Sequence, residues 1–193
     1  MSLTLITPPA VEPLVLSTAR ARLRVPDNSQ DGQIKLWIQI ARERVERETG
    51  RALLSQTWLE RRDSWWGDGR LTAFGTRFRL LKPPLTALEA VTIYGADDTP
   101  SEIDPAAFFV DTLSDPGRLV LRPGYEFPEP ARAAGGIEIR YRAGYGDSPD
   151  DIPSPLVEAV TRLVEAMYAG GSGTDALTPE VESLLAPWRR RSL

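Results

Sequence analysis

The sequence contains no cysteine and no histidine. Without cysteine there is no disulfide, no thiolate nucleophile and no cysteine-held zinc or iron–sulfur centre. Without histidine there is no Ser–His–Asp relay, no imidazole metal ligand and no imidazole switch. Lysine is almost missing as well: Lys35 and Lys82 stand against 21 arginines. Carboxylates, tyrosine, serine, arginine and those two lysines are all that remains for catalysis. No apolar run approaches the roughly 18–20 residues that cross a bilayer. The opening stretch MSLTLITPPA has neither the basic start nor the apolar core of a secretory signal. An intracellular origin is expected, with no membrane partner, no cofactor and no metal.

What is present describes a soluble globular protein. The 193 residues are 41% hydrophobic and 26% charged, enough for one domain, or one domain with a sizeable insertion, and a true core. The 17 prolines and 15 glycines are spread along the chain and predict many turns. Charge is uneven. Residues 1–53 carry +2, residues 54–146 carry −2, residues 147–187 carry −7 and the last six carry +3, for a total of −4. An acidic segment before a compact basic tip is a pattern that can orient a partner.

Periodicity changes twice along the chain. STARARLR predicts a short helix capped by Ser17 and ended by Pro26. In SQDGQIKLWIQIARERVERETG, Ile34, Trp37, Ile38, Ala41 and Val45 form one helical apolar face. Lys35, Arg42, Glu43, Arg44, Glu46, Arg47 and Glu48 lie on the other face, and Gly50 stands where a C-terminal cap glycine belongs. From there the pattern becomes extended. Strands are predicted near 55–64, in RFRLLKPPL, in LEAVTIYG, in a hairpin of AFFVDT and GRLVLRP, and in the alternating GIEIRYRAG, about five or six in all. Helix returns at DIPSPLVEAVTRLVEAMYAGG, with Ser154 as cap, Pro155 in the first turn and a stripe of Leu156, Val160, Leu163, Val164 and Met167. Thr178 and Pro179 start a last short helix running to about Ala186. The expected fold class is therefore α+β. The helices of 1–53 and 147–186 form a small bundle, an antiparallel β region of 54–146 is inserted between them, and 187–193 is a tail.

Five groups of residues are candidates for chemistry or binding. Asp147, Asp150 and Asp151, like Asp97 and Asp98, could serve a carboxylate hydrolase, but acids beside Gly, Ser and Pro usually shape turns. AGGSGTD lacks the frame of a phosphate loop and follows a helix, so a linker is expected. Arg20, Arg22 and Arg24, or Arg189 to Arg191, could meet nucleic acid, yet no groove-reading motif is present. Trp65 and Trp66 could mark a contact surface, although one of them is expected to face the core. The strongest candidate is LLAPWRRRSL. An apolar helix face runs through Leu184 and Leu185 into Pro187, Trp188, Arg189, Arg190 and Arg191, and then Leu193. Tryptophan and arginine are the side chains enriched at interface hot spots, so this segment is expected to dock on a partner.

These motifs, taken in order, resemble the head–tail connector (adaptor) proteins of tailed phages, prophages and gene transfer agents. The resemblance rests on LSTARARLRV, on ARERVERETGRALLSQTW, on LLKPPLTALEAVTIYG, on YRAGYGDSPDDIPSPLVEAVTRLVEAMY and on LTPEVESLLAPWRRRSL, nearly the whole chain. It implies a structural, non-enzymatic component of a virion neck, assembled in the bacterial cytoplasm. Such a component forms a ring of twelve copies beneath the portal protein ring and inserts its C-terminal segment there. It extends the channel through which DNA passes as cargo, and it carries a neck stopper or tail-terminator protein. Leu184, Leu185, Pro187, Trp188 and Arg189 match the family's C-terminal motif; the family usually has tyrosine where Trp188 stands. A nucleic-acid-binding module of a mobile element is the alternative, followed by a carboxylate-based hydrolase. Repulsion within 147–187 predicts a monomer, or a weakly self-associating protein, in isolation.

Overall fold

The computed structural model describes residues 1–65, 71–72, 75–126, 128–170 and 177–190, with 71–72 and 75–76 described by backbone alone. The fold is α+β, with four α-helices and two antiparallel sheets among the described residues. It divides into two compact units: a β unit of 1–8 and 55–144, and a helical unit of 9–54 and 145–193. Among the described residues no helix is long and apolar enough to cross a membrane.

The helical unit contains α1 (Leu16–Leu23), α2 (Asp31–Thr49), α3 (Ser154–Tyr168) and α4 (Pro179–Leu185). The predicted stripes meet in one core: Ile34, Ile38, Ala41 and Val45 of α2 pack with Leu156, Val160, Leu163, Val164 and Met167 of α3. Full burial of each of these side chains other than Ala41 stabilises by about 1.5–3 kcal/mol. Trp37 is only half-buried and meets Tyr168 edge-on, ring centroids 6.0 Å apart. Two expected caps are displaced. The chain enters α1 at Val15 and α3 at Pro153, without side-chain caps, so Ser17 and Ser154 lie inside the helices. The polar face of α2 is not wholly solvated either. Arg42 and Glu46 are buried: Arg42 donates to Glu12 at 2.8 Å and to Glu46 at 3.2 Å, while Glu46 accepts the Leu53 N–H at 2.8 Å. Glu46 thereby ties the chain leaving α2 back onto the helix.

The β unit has more strands than periodicity alone predicted. One sheet is ordered β1 (Ser2–Thr7), β2 (Gln56–Arg62), β9 (Ile137–Ala143), β5 (Leu85–Tyr94), β6 (Pro100–Ile103). The other is ordered β3 (Leu71–Thr72), β4 (Gly75–Arg79), β8 (Arg118–Leu121), β7 (Phe108–Asp111). The first residues, expected among the helices, instead form β1 and pair antiparallel with β2. This strand is short and exposed, with no buried face to give it a pattern. Inward-facing Val91, Ile93, Ile137, Ile139, Phe78, Phe108, Leu119 and Leu121 form the β core.

That core also holds a charged network. Glu60 and Arg62, both on β2, are buried, and Arg62 Nε donates to Glu60 at 2.7 Å. Arg62 also donates to the Arg79 carbonyl on β4. The other Glu60 oxygen accepts the Leu81 N–H at 2.8 Å and the Tyr141 hydroxyl at 3.3 Å, and Tyr141 accepts the Lys82 N–H at 3.0 Å. Burial, aided by the Glu60 charge, pushes the Tyr141 hydroxyl far above the usual phenol range, so it stays a donor.

The predicted hairpin forms from β7 and β8. Its loop is organised by Asp111, which accepts the N–H groups of Leu113 and Ser114 at 3.1 Å, the Ser114 hydroxyl at 2.6 Å and Arg118 Nε at 2.9 Å. The Ser114 hydroxyl and the Arg118 guanidinium hold the Asp111 carboxyl down to about 2. A depressed acid contributes its stabilisation above its ordinary value of 3.8 and loses it as pH falls through the lowered one. Hydrogen-exchange protection at Leu113 and Ser114 is therefore expected to fall between about pH 4 and pH 2. Protection unchanged over that window, or an identical profile in Asp111→Asn, would contradict this.

Candidate docking site

The C-terminal segment is built from α4 and one 3-10 turn, Ala186–Trp188. Thr178 caps α4 by accepting the Val181 N–H at 3.4 Å. The apolar stripe of α4 is Val181 and Leu185, both buried in the helical core, with Leu184 half-buried beside them. Pro187 is exposed and occupies the first turn of the 3-10 segment. From there the chain folds back over the end of α2.

Trp188 is half-buried. Its ring meets Tyr145 edge-on, with centroids 6.2 Å apart and planes at 83°, a favoured aromatic geometry. The Arg51 guanidinium lies 5.9 Å from the same ring, and Arg51 Nε donates to the Trp188 carbonyl at 2.8 Å. Arg189 reaches Glu48 at 3.5 Å and Glu182 at 4.0 Å. Arg190 donates its backbone N–H to the Thr49 carbonyl at 3.2 Å, satisfying one of the orphan acceptors at the end of α2. Two arginines here also suit the negative end of that helix. The Arg189 contacts are exposed and contribute little each; Trp188 and the backbone bonds hold the segment.

The structure thus places Leu184, Leu185, Pro187, Trp188, Arg189 and Arg190 along one continuous segment, the end of α4, the 3-10 turn and the residues after it, with Leu185 buried in its own core. Arg191 and Leu193 lie outside the described residues. Arg51 and Tyr145, which cradle Trp188, were not singled out in the sequence. The one local signal for Arg51 is its place directly after the helix-ending Gly50. Gly50 has φ +71°, and a Cβ there would come within 2.9 Å of Arg190 Cδ. Gly50→Ala is expected to cost about 1–2 kcal/mol from the left-handed backbone, with a smaller part from Arg190, whose flexible side chain can shift. A thermal melt unchanged by the substitution would contradict this.

Most of the other candidates that the structure describes are engaged in local structure or ion pairs. Asp151 accepts the Ser148 N–H at 2.9 Å in a capping box, and the Ser148 hydroxyl accepts the Asp150 N–H at 3.3 Å. Asp97 accepts the Thr99 N–H at 3.2 Å and Asp98 pairs with Arg132 at 3.3 Å. Among the described residues no cluster of acids could hold a metal ion. Arg20 pairs with Asp31, and Arg22 reaches Glu158 and Glu165, each at 3.1 Å. Arg24 sits in the left-handed position that ends α1. Trp65 is buried, donating to the Pro128 carbonyl at 2.9 Å. Trp66, and most of the proposed linker, lie outside the described residues.

No protein-family model and no curated protein matches the sequence. Solved structures do match the fold along its whole length. One is a chain from the neck of an empty gene transfer agent particle, computed with C6 symmetry, at 21% identity and TM-score 0.81. A second comes from the virion of a native gene transfer agent particle, at 22% identity and TM-score 0.78. A third comes from the neck of a native particle, computed with C12 symmetry, at 20% identity and TM-score 0.70. Each alignment covers 100% of this chain and 97% of the other. At these identities the likeness establishes a shared fold.

Proposed function

We propose that this protein is a structural connector in the neck of a phage-like particle such as a gene transfer agent. In this reading it forms a ring with copies of itself, docks on the portal ring through residues 184–193, prolongs the DNA channel and carries the next neck component. The observation that carries the reading is the end-to-end fold likeness to gene transfer agent particle chains, two of them from necks solved with ring symmetry. The turn and capping roles of the candidate carboxylates, and the ion pairs of Arg20 and Arg22, agree with it.

Docking falls chiefly to Trp188 with Arg189 and Arg190. Leu185 sustains the helical core, so its contribution is to hold the segment in place. Because Trp188 already has Tyr145 and Arg51 as neighbours, the portal must either cover that cluster or replace those contacts with its own. The test is binding of the cognate portal by the full chain and by a chain truncated after Ala186. Binding by the full chain alone supports the docking role. Equal binding by both removes the tail from it, and binding by neither overturns the connector reading.

A further inference from the structure

Two outward surfaces of the β unit carry opposite charge. On the second sheet, Phe78, Leu119 and Leu121 face the core, so Arg77, Arg79, Arg118 and Arg122 alternate to the outside. Arg79 stands directly across from Arg118 in the strand register. Like charges in that position repel. Among the described residues, the acid seen paired on this face is Asp111, and it is occupied by Arg118 and the hairpin loop. Among the described residues Arg77, Arg79 and Arg122 have no ion pair. Phe109, 53% exposed, lies among them with the Arg122 guanidinium 5.9 Å from its ring, and Leu113 at the hairpin tip is 97% exposed.

The hairpin of β5 and β6 is the reverse. Asp97, Asp98, Glu102 and Asp104 are all exposed there. Asp97 and Asp104 are fixed by accepting the N–H groups of Thr99 and Ala106. Arg132, paired with Asp98, is the one base that answers them among the described residues. The hairpin is also an open edge of the first sheet.

We infer that the arginine face of one copy receives the acidic β5–β6 hairpin of the next copy. Two different patches on one chain make a heterologous, head-to-tail contact, the kind that repeats around a ring. A contact of like with like, as in a two-fold dimer, would set arginine against arginine. A second copy is favoured over nucleic acid because the complementary acids lie on this same chain. An exposed phenylalanine and leucine among arginines also match the composition of protein interfaces. The assignment rests on the ring reading above and names the surfaces that would make the ring.

The experiment uses two charge-reversed chains, Arg77→Glu with Arg79→Glu, and Asp97→Lys with Glu102→Lys. Self-association is followed by sedimentation over a range of protein and salt concentrations, and adjacent copies on the portal by cross-linking. Each variant alone is expected to associate more than about tenfold more weakly than the unmodified chain, because like charges then face each other. An equimolar mixture is expected to recover association, since the two variants present opposite charges at every contact; a folding defect could not be repaired by mixing. Unchanged association of either variant, or no recovery in the mixture, overturns the assignment while leaving the ring reading intact. If the unmodified chain neither self-associates nor places neighbours on the portal, the ring reading falls and the assignment with it. If the arginine variant instead loses salt-dependent binding to a DNA duplex with association unchanged, the face binds polyphosphate and the copy-to-copy assignment is overturned.

Discussion

Trp188→Ala is expected to weaken binding to the portal ring by at least about 2 kcal/mol per copy, the range of an interface hot spot. That is roughly a 30-fold rise in the dissociation constant of a single contact, and the loss multiplies when many copies bind one ring. The substitution also removes the edge-on contact with Tyr145 and the ring beneath Arg51. Docking and folding must therefore be separated. Trp188 is half-buried at the end of the chain, whereas Leu185 is fully buried in the helical core. Leu185→Ala should accordingly lower the melting temperature, by about 2–5 kcal/mol in stability. Trp188→Ala should lower it much less while affecting binding more. Surface plasmon resonance against immobilised portal, paired with thermal melts of both variants, reads the two effects. Unchanged affinity of Trp188→Ala would remove the tryptophan from the docking role, whatever the melts show.

Glu60→Ala is expected to have the largest effect on stability. It strands the Arg62 guanidinium at 1% exposure in the β core and removes the Glu60 oxygen that accepts from the Leu81 N–H and the Tyr141 hydroxyl. Removing one member of a buried pair costs about 3–5 kcal/mol, a large fraction of the roughly 5–15 kcal/mol that holds an ordinary domain folded. The network also joins the two sheets, since Arg62 on β2 bonds to the Arg79 carbonyl on β4. Replacing both charges with apolar groups, Glu60→Leu with Arg62→Met, should cost less than Glu60→Ala, because no buried charge is then left alone. Urea unfolding of the three proteins decides it. A loss below about 1 kcal/mol for Glu60→Ala would mean that Arg62 finds water or another acceptor.

By itself the sequence determined the element types and their order wherever a period was imposed by one buried face. The stripes of α2 and α3 were legible because apolar residues recur there at helical spacing, and Gly50 because few other residues end a helix in the left-handed region. The β7–β8 hairpin was legible from its turn chemistry. The unusual composition of residues 184–191 could also be read, since it sets Trp188 beside three arginines directly after an apolar helix face. Tertiary structure alone decided three other things. It paired β1 with β2, a choice that no pattern within an exposed strand records. It turned Glu60 and Arg62 inward on β2 and buried Arg42 and Glu46 on α2, against the ordinary rule that charged faces meet water. It also folded Trp188 onto Tyr145 and Arg51, residues distant from it in the chain. The physical reason is common to all three. Periodicity reports which residues share a face, because side-chain direction follows local backbone geometry. Which face is buried, and which charge answers which, depends on partners supplied by other elements, and those meet only when the chain has closed on itself.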